Sequence, residues 1–335
     1  MKEYKIDFVV PWVDGSDINW REEKKKYSPE AENDDTECRY RDMELMKYWF
    51  RAVEEYAPWV NKVHFITCGH LPSWLNTECP KLNIVKHSDY IPEKYLPTFS
   101  SHPIELNLHR IKGLSEQFVY FNDDMFLNGS VEENFFFKNG KPCDYAYLTS
   151  IFLEDTDDCF GHICTNNIVL INREFSYIKS FLKHPFKYIN IHYAFKNNIK
   201  NMLKLTNGSI FSGFENHHLP SAYLRKTLEQ SWETHFDILD RTCTNRFRSP
   251  YDVNQYIFAF RQLVNGDFSP VNSTSRGKHT RICKDNQHII SALKNEKIKM
   301  ICINDTEENI DFERAKTEII SAFEEKFPEK SSFEK

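Results

Sequence analysis

The stretch FVYFNDDMFL, residues 118–127, sets two adjacent carboxylates, Asp123 and Asp124, behind Asn122 at the end of an apolar run. Charges in such a place need a partner or a metal, because an unpaired buried carboxylate is costly. A strand that ends in paired carboxylates suits a divalent cation such as Mg2+, which takes oxygen ligands and is shared with substrate phosphates. The bland alternative is an Asn-Asp surface turn. A literal D-x-D at Asp155–Asp157 competes for the same chemistry, but no strand runs into it and it reads as a loop.

Other residues with chemical potential are scattered. Asp14 follows the run IDFVVP. Glu105 and His109 stand four apart on an expected helix, with Arg110 beside them, and Ser100 and Ser101 lie where its free N–H groups would favour phosphate. A Glu–His pair of this kind is also compatible with a purely structural role. His217 and His218 precede Leu219-Pro220, and RFRSPYD offers Arg246, Arg248 and Asp252; arginine clamps phosphate through paired hydrogen bonds. Cys159, His162 and Cys164 resemble part of a zinc set but lack a fourth ligand nearby. Glycine-rich phosphate cradles and the G-x-S-x-G elbow are absent, which removes dehydrogenase, P-loop and common hydrolase readings.

These residues need elements to position them. Ile6–Val10, Val63–Thr67, Leu82–Val85 and Val119–Phe121 read as strands, and Met43–Tyr56 has helical apolar spacing. Pro103 is expected to open a helix with Ile104, Leu108 and Ile111 on one face. Strands alternating with helices predict an α/β fold with a largely parallel sheet covered on both faces. Ligands of such sheets bind at the carboxyl ends of strands, so Asp14 and the Asn122–Asp124 cluster are expected to share one crevice. From about Asp144 the pattern becomes mixed, then mainly helical, and Asp311–Phe327 reads as an amphipathic helix with Phe312, Ala315, Ile319, Phe323 and Phe327 inward. Residues 175–214 hold six lysines and no Asp or Glu. That is either a solvated helical face or a surface for an anionic acceptor or membrane.

Composition sets the outer bounds. The chain has 335 residues, 40% hydrophobic and 15% aromatic, enough for a sizeable core. A net charge of −6 argues against sequence-independent nucleic-acid binding. The first residues carry too short an apolar run for a signal peptide, and no stretch approaches the roughly 18 apolar residues of a membrane span. With nine cysteines and no secretion signal, reduced thiols and a cytoplasmic setting are expected.

Taken together, IDFVVPWVDGSD, RYRDMELMKYWFRAVEEYAPWVNKVHFIT with GHLPSWLN, LPTFSSHPIELNLHRIKGLSEQFVYFNDDMFL, and the late HLP, FRSPYD and ICIND elements resemble the Stealth family. Its four conserved blocks are found in order from Ile6 to about Pro328, with residues 144–213 poorly matched. The resemblance implies a phosphotransferase: a sugar 1-phosphate passes from a UDP-sugar to a hydroxyl of a glycan acceptor, free or lipid-linked, and UMP leaves. The rivals are an ordinary glycosyltransferase releasing UDP and a non-catalytic carbohydrate-binding module. The implied fold is a glycosyltransferase-A-like, Rossmann-like nucleotide-binding core with mainly helical C-terminal additions. It would form one catalytic domain over 1–335, with the core at 1–145, a variable insert at 146–215 and a helical part at 216–335 completing the site.

Carried over residue by residue, the resemblance implies Asp14, Asn122, His218 and Arg248 as catalytic. Arg39, Arg41, Asp42, Glu44, Ser100, Glu105, His109, Arg110, Asn304 and Asp305 would bind substrate. Asp123 and Asp124 would hold Mg2+ or Mn2+. The base is His218 or Asp14, and Arg248 would stabilise the transferred phosphoryl group. The implied setting is the cytoplasmic face of a bacterial plasma membrane, with peripheral membrane contact and no nucleic acid.

Overall fold

The computed structural model describes residues 4–28, 41–153, 155–156, 158–272, 276–305 and 310–335. Arg39, expected beside the nucleotide, and Asp157 of the D-x-D run lie outside them. Strands β1 (Ile6–Pro11), β2 (Val63–Thr67), β3 (Leu82–Lys86) and β4 (Gln117–Tyr120) lie parallel in the order β3-β2-β1-β4. Strands β1, β2 and β4 are buried on both faces and mostly apolar, while the edge strand β3 is only partly buried. Strand β1 sends Phe8 and Val10 into one core and Val9 into the other; β4 sends Val119 to the first and Phe118 and Tyr120 to the second. The expected α/β fold with a parallel central sheet is therefore observed.

Helices α1 (Ile18–Tyr27), α2 (Met46–Tyr56), α3 (His87–Tyr90) and α4 (Ser101–Leu106) occupy the connections of this sheet. The expected helix through Ile111 is shorter than its periodicity suggests. Ser100 caps it by accepting from His102 N–H, so Pro103 lies inside the first turn and not at its first position. It stops at Leu106, where the buried Asn107 side chain donates to Pro103 O, and a 3-10 turn follows over Leu108–Arg110. Asparagine competes for backbone groups in this way and disfavours helix continuation.

The remaining strands are β5 (Met125–Leu127), β6 (Phe137–Lys138), β7 (Lys141–Asp144), β8 (Ser221–Leu224), β9 (Ser269–Pro270), β10 (Gly277–Arg281) and β11 (Met300–Asn304). Among them run α5 (Glu133–Phe136), α6 (Cys159–Glu174), α7 (Tyr177–Lys183), α8 (Pro185–Tyr188) and α9 (Phe195–Lys204). The last four are α10 (Arg225–Thr244), α11 (Tyr256–Val264), α12 (Gln287–Leu293) and α13 (Phe312–Lys326). The part after 216 carries the expected helices and also strands that periodicity did not show. Strand β8 joins β4 antiparallel, and β10-β11-β5 form a second sheet. Helix α13 buries Ala315, Ile319 and Phe323 as expected, while Phe312 is only half-buried.

Candidate active site

Strand order reverses direction between β1 and β4, which leave in opposite senses to β2 and β8, and a crevice opens at such a switch point. Asp14 stands three residues past the end of β1, and Asn122–Asp124 follow β4. The turn after β1 is self-supporting: Ser16 donates to Asp14 Oδ1 through its amide at 2.8 Å and its hydroxyl at 2.6 Å. The Asp14 amide donates to His70 Nε2 at 2.8 Å, tying the loop after β2 to the same rim. Across the crevice, Ile303 N–H donates to Asp124 O at 2.9 Å, so β11 holds the carboxylate turn from the second sheet.

Asp42 completes the acidic group from the segment before α2. Its Oδ1 accepts from Glu44 N–H at 2.6 Å, with Glu44 at a left-handed φ of 57°. Glu44 itself points outward to Lys316 of α13, 2.6 Å away. Arg41 grips Asp305 with two hydrogen bonds of 2.8 and 2.9 Å and lies over the Phe312 ring at 4.3 Å. The segment before α2 and the end of β11 are thereby fastened together.

The charges press on one another. Desolvation pushes the Asp123 carboxyl up to about 7 although the side chain reaches solvent, and the neighbouring Asp124 and Asp42 add to the rise. Asp42 is likewise raised by desolvation, with Asp14 contributing. For Asp14 burial also acts upward, but the Ser16 hydrogen bonds and then His70 outweigh it and hold the group below the usual range.

His218 occupies the centre. It adopts φ 48°, left-handed and unusual for a residue with a Cβ, and its amide donates to Asn216 Oδ1 at 2.8 Å. Its Nδ1 is 3.0 Å from Tyr256 Oη of α11, and its Nε2 is 3.9 Å from Asp124 Oδ2. His279 of β10 meets it edge-on at 5.5 Å. The Cys302 sulfur lies 2.9 Å from Asn304 Oδ1 and 3.4 Å from Asp124 Oδ2. Burial, and then Asp124, push that thiol far upward.

Asp124, His218 and Cys302 offer ligand atoms within 4.8 Å of one another, the one such group among the described residues. Cys159, His162 and Cys164 form no such group there. Asp124 Oδ1 is buried without a hydrogen-bond partner. An orphaned carboxylate oxygen beside three further carboxyl groups fits a hard divalent cation.

Arg248 reaches the rim through FRSPYD. Phe247 stacks on Phe99 at 5.3 Å, and both join Trp20 and Val13, the residue before Asp14. Arg248 donates to Ser101 Oγ at 3.2 Å. The loop is anchored by the fully buried Asp252, which accepts from Asn245 and Ser249 and meets His102 Nδ1 at 2.9 Å.

Four expected substrate residues lie off the crevice. Ser100 is buried and consumed by its cap. Glu105 and His109 do not share a helix face, because α4 ends between them. Glu105 is buried below the floor of the site, 3.4 Å from both Tyr120 Oη and Gln255 N. His109 and Arg110 pack on Trp232 of α10. His109 also feels Arg225, which donates to Leu114 O ahead of β4, at the end of the sheet opposite Asp123. Conversely, sequence reasoning missed His70, Tyr256, His279 and Cys302. Two of them had a nearby signal: His70 stands in GHLPSWLN, and Cys302 stands two residues before Asn304 in ICIND.

The family model described as Stealth protein CR1, conserved region 1, matches residues 4–31, and Stealth protein CR2, conserved region 2, matches residues 39–144. The chain is 44% identical over 334 residues to the capsular polysaccharide phosphotransferase WcwK of Streptococcus pneumoniae, covering 99% of this chain and 98% of the relative. It is 38% identical to the exopolysaccharide phosphotransferase cps2G of Lactiplantibacillus plantarum, covering 99% and 97%. The receptor polysaccharide phosphotransferase WefC of Streptococcus gordonii is also 38% identical, with 98% and 99% covered.

Proposed function

The chain belongs to the Stealth family, and from that premise we propose that it moves a sugar 1-phosphate from a UDP-sugar to a glycan hydroxyl and releases UMP. The coarser statement, a phosphotransferase of polysaccharide biosynthesis, follows from relatives matched over nearly their whole length. The observation that carries the finer reading is the meeting of His218, Asp124 and the Asp123 carboxyl at one switch-point crevice.

In this reading the acceptor oxygen attacks the sugar-side phosphorus. The bond from that phosphorus to the UMP oxygen breaks, and the anomeric C–O bond survives. His218 Nε2 takes the hydroxyl proton. For that the ring must carry its other proton on Nδ1 and donate it to Tyr256 Oη, 3.0 Å away. Asp14 is the weaker candidate, because Ser16 holds it ionised at low basicity. Arg248 faces the rim as a donor to the phosphoryl oxygens, where preorganised positive charge lowers the barrier. Asp123 and Asp124 would hold Mg2+ or Mn2+, whose chemistry there is neutralisation of diphosphate charge. Asn122 sets the turn: its N–H donates to Met125 Sδ at 3.4 Å and its carbonyl accepts from Met125 N–H at 3.1 Å. Arg41, Asp42, Asn304 and Asp305 form the wall on the nucleotide side.

The test is the nucleotide product. Purified protein is incubated with Mg2+, a set of UDP-sugars and a bacterial glycan extract, and the released nucleotide is separated by chromatography. Acceptor-dependent UMP is expected. Acceptor-dependent UDP would establish an ordinary glycosyltransferase, and glycan binding without either nucleotide would establish a binding module.

A further inference from the structure

Helix α9 is inside out. It buries Asn197 and Asn201 and turns Phe195, Ile199, Met202 and Leu203 to solvent, Phe195 being 80% exposed. The asparagine face is built to be inside. Asn201 Nδ2 donates to Ala146 O and Tyr188 O at 2.8 and 2.7 Å, its Oδ1 accepts from Leu148 N–H at 3.0 Å, and Tyr177 Oη donates to its carbonyl. The apolar side is therefore held outward by the fold.

It is not alone. Phe186 of α8 is 81% exposed, and Ile191 in the following turn is 95% exposed. Lys196 and Lys200 flank the stripe on α9, and with Lys179 and Lys183 they are exposed and make no ion pair among the described residues. No acidic residue occurs from 175 to 214. Scattered exposed apolar side chains are ordinary, whereas a contiguous patch marks an interaction surface. Apolar and aromatic residues on one face with lysines beside them are the pattern of a helix lying in a lipid interface.

We infer that the α8–α9 face docks on an anionic lipid bilayer. A second copy of the chain is a poor occupant, because a self-complementary contact would set this lysine set against itself. Anionic headgroups answer the lysines, and the acyl boundary answers Phe186, Ile191 and Phe195. Among the described residues no helix is long and apolar enough to cross a membrane, so the contact is a surface one.

The surface leads to the reaction site. Lys204 Nζ donates to Ser150 Oγ at 2.8 Å, and two residues on stands Phe152, 81% exposed. Leu153 lies over the first turn of α6, where a Cβ on Gly161 would come within 2.7 Å of it. The exposed Phe160 of that turn meets the Tyr256 ring edge-on at 6.4 Å, and Tyr256 contacts His218. This deepens the proposed function by naming the side from which a membrane-held acceptor is met, while the lipid contact itself can be tested without it.

The full chain is floated with vesicles of phosphatidylcholine alone and of equal parts phosphatidylcholine and phosphatidylglycerol. Binding to the mixed vesicles that weakens with salt is expected. Lys196→Gln with Lys200→Gln should weaken it about tenfold or more, since each basic residue near an anionic surface adds to binding. Phe195→Ser with Ile199→Ser should abolish it at every salt concentration. Both variants should release nucleotide from soluble acceptor at the parental rate, which also shows that they fold. No flotation, equal flotation of parent and variants, or a solution dimer that Phe195→Ser with Ile199→Ser dissociates would overturn the inference. Vesicle binding without UMP formation would overturn only the proposed reaction.

Discussion

His218 has two polar neighbours that make opposite demands on its ring. A proton on Nε2 would face Asp124, and a proton on Nδ1 would go to Tyr256 Oη. Only the second arrangement leaves Nε2 able to accept from an acceptor hydroxyl. His218→Ala should lower kcat about 10²- to 10⁴-fold, the usual contribution of a positioned base. Tyr256→Phe should lower kcat while leaving the donor KM unchanged, since it orients the ring and touches no nucleotide in this reading. Steady-state rates of UMP release check both. A loss below tenfold for His218→Ala would pass the role to Asp14, to be examined in Asp14→Asn. A left-handed φ of 48° at His218 is a conformation of the kind held by its surroundings at functional sites.

Among the elements, two fasteners stand out because each joins segments distant in sequence. The Arg41–Asp305 fork ties the segment before α2 to the end of β11, beside Asn304 and the carboxylate turn. Arg41→Lys should fail to replace it, since an ammonium cannot match the two-pronged geometry. The donor KM should rise more than kcat falls, as read in a UDP-sugar titration. Asn201 fastens α9. Asn201→Ala leaves Leu148 N–H, Ala146 O and Tyr188 O without their partner, and each buried orphan costs about 1–3 kcal/mol. Chemical denaturation should therefore show a loss of about 3 kcal/mol or more.

For the molecule as a whole, acid is the sensitive side. Burial holds His109 down at about 3, with Arg110 and Arg225 adding to the effect, and burial holds His87 down at about 4. Both stay neutral in the fold, whereas the unfolded chain protonates them below about 6.5. Their contribution is thus whole above pH 6.5 and drains away as pH falls toward 3–4, by about 1.4 kcal/mol per pH unit for each group. Asp7 acts lower down. Burial raises it, but hydrogen bonds from His64, Asn61 and Ser115 outweigh that and hold it below the usual carboxylate range, so its contribution is lost only as pH drops below about 4. Melting temperatures from pH 7 to pH 4 should fall, and His109→Gln should flatten the slope without changing turnover at neutral pH. A parental slope in that variant would mean that His109 is not held neutral.

Strands β1 to β4 were legible to within two residues at each end, because their centres are apolar and, in β1, β2 and β4, buried on both faces. The Asp14 and Asn122–Asp124 positions followed from the rule that crevices open at strand ends. The partners of those residues were not legible. Tyr256 lies 38 positions from His218, and Asp305 lies 264 from Arg41; only chain closure brings them together. The break at Asn107 depended on a side chain turning back on Pro103 O, which helical spacing does not register. Helix α9 shows the limit most clearly. Periodicity reveals that a helix has an apolar stripe, but the medium that stripe faces is chosen by what the opposite side can bind. Here Asn201 finds partners inside in Ala146, Leu148, Tyr177 and Tyr188, and the tertiary structure turns the helix over, with Phe195 and Leu203 outward.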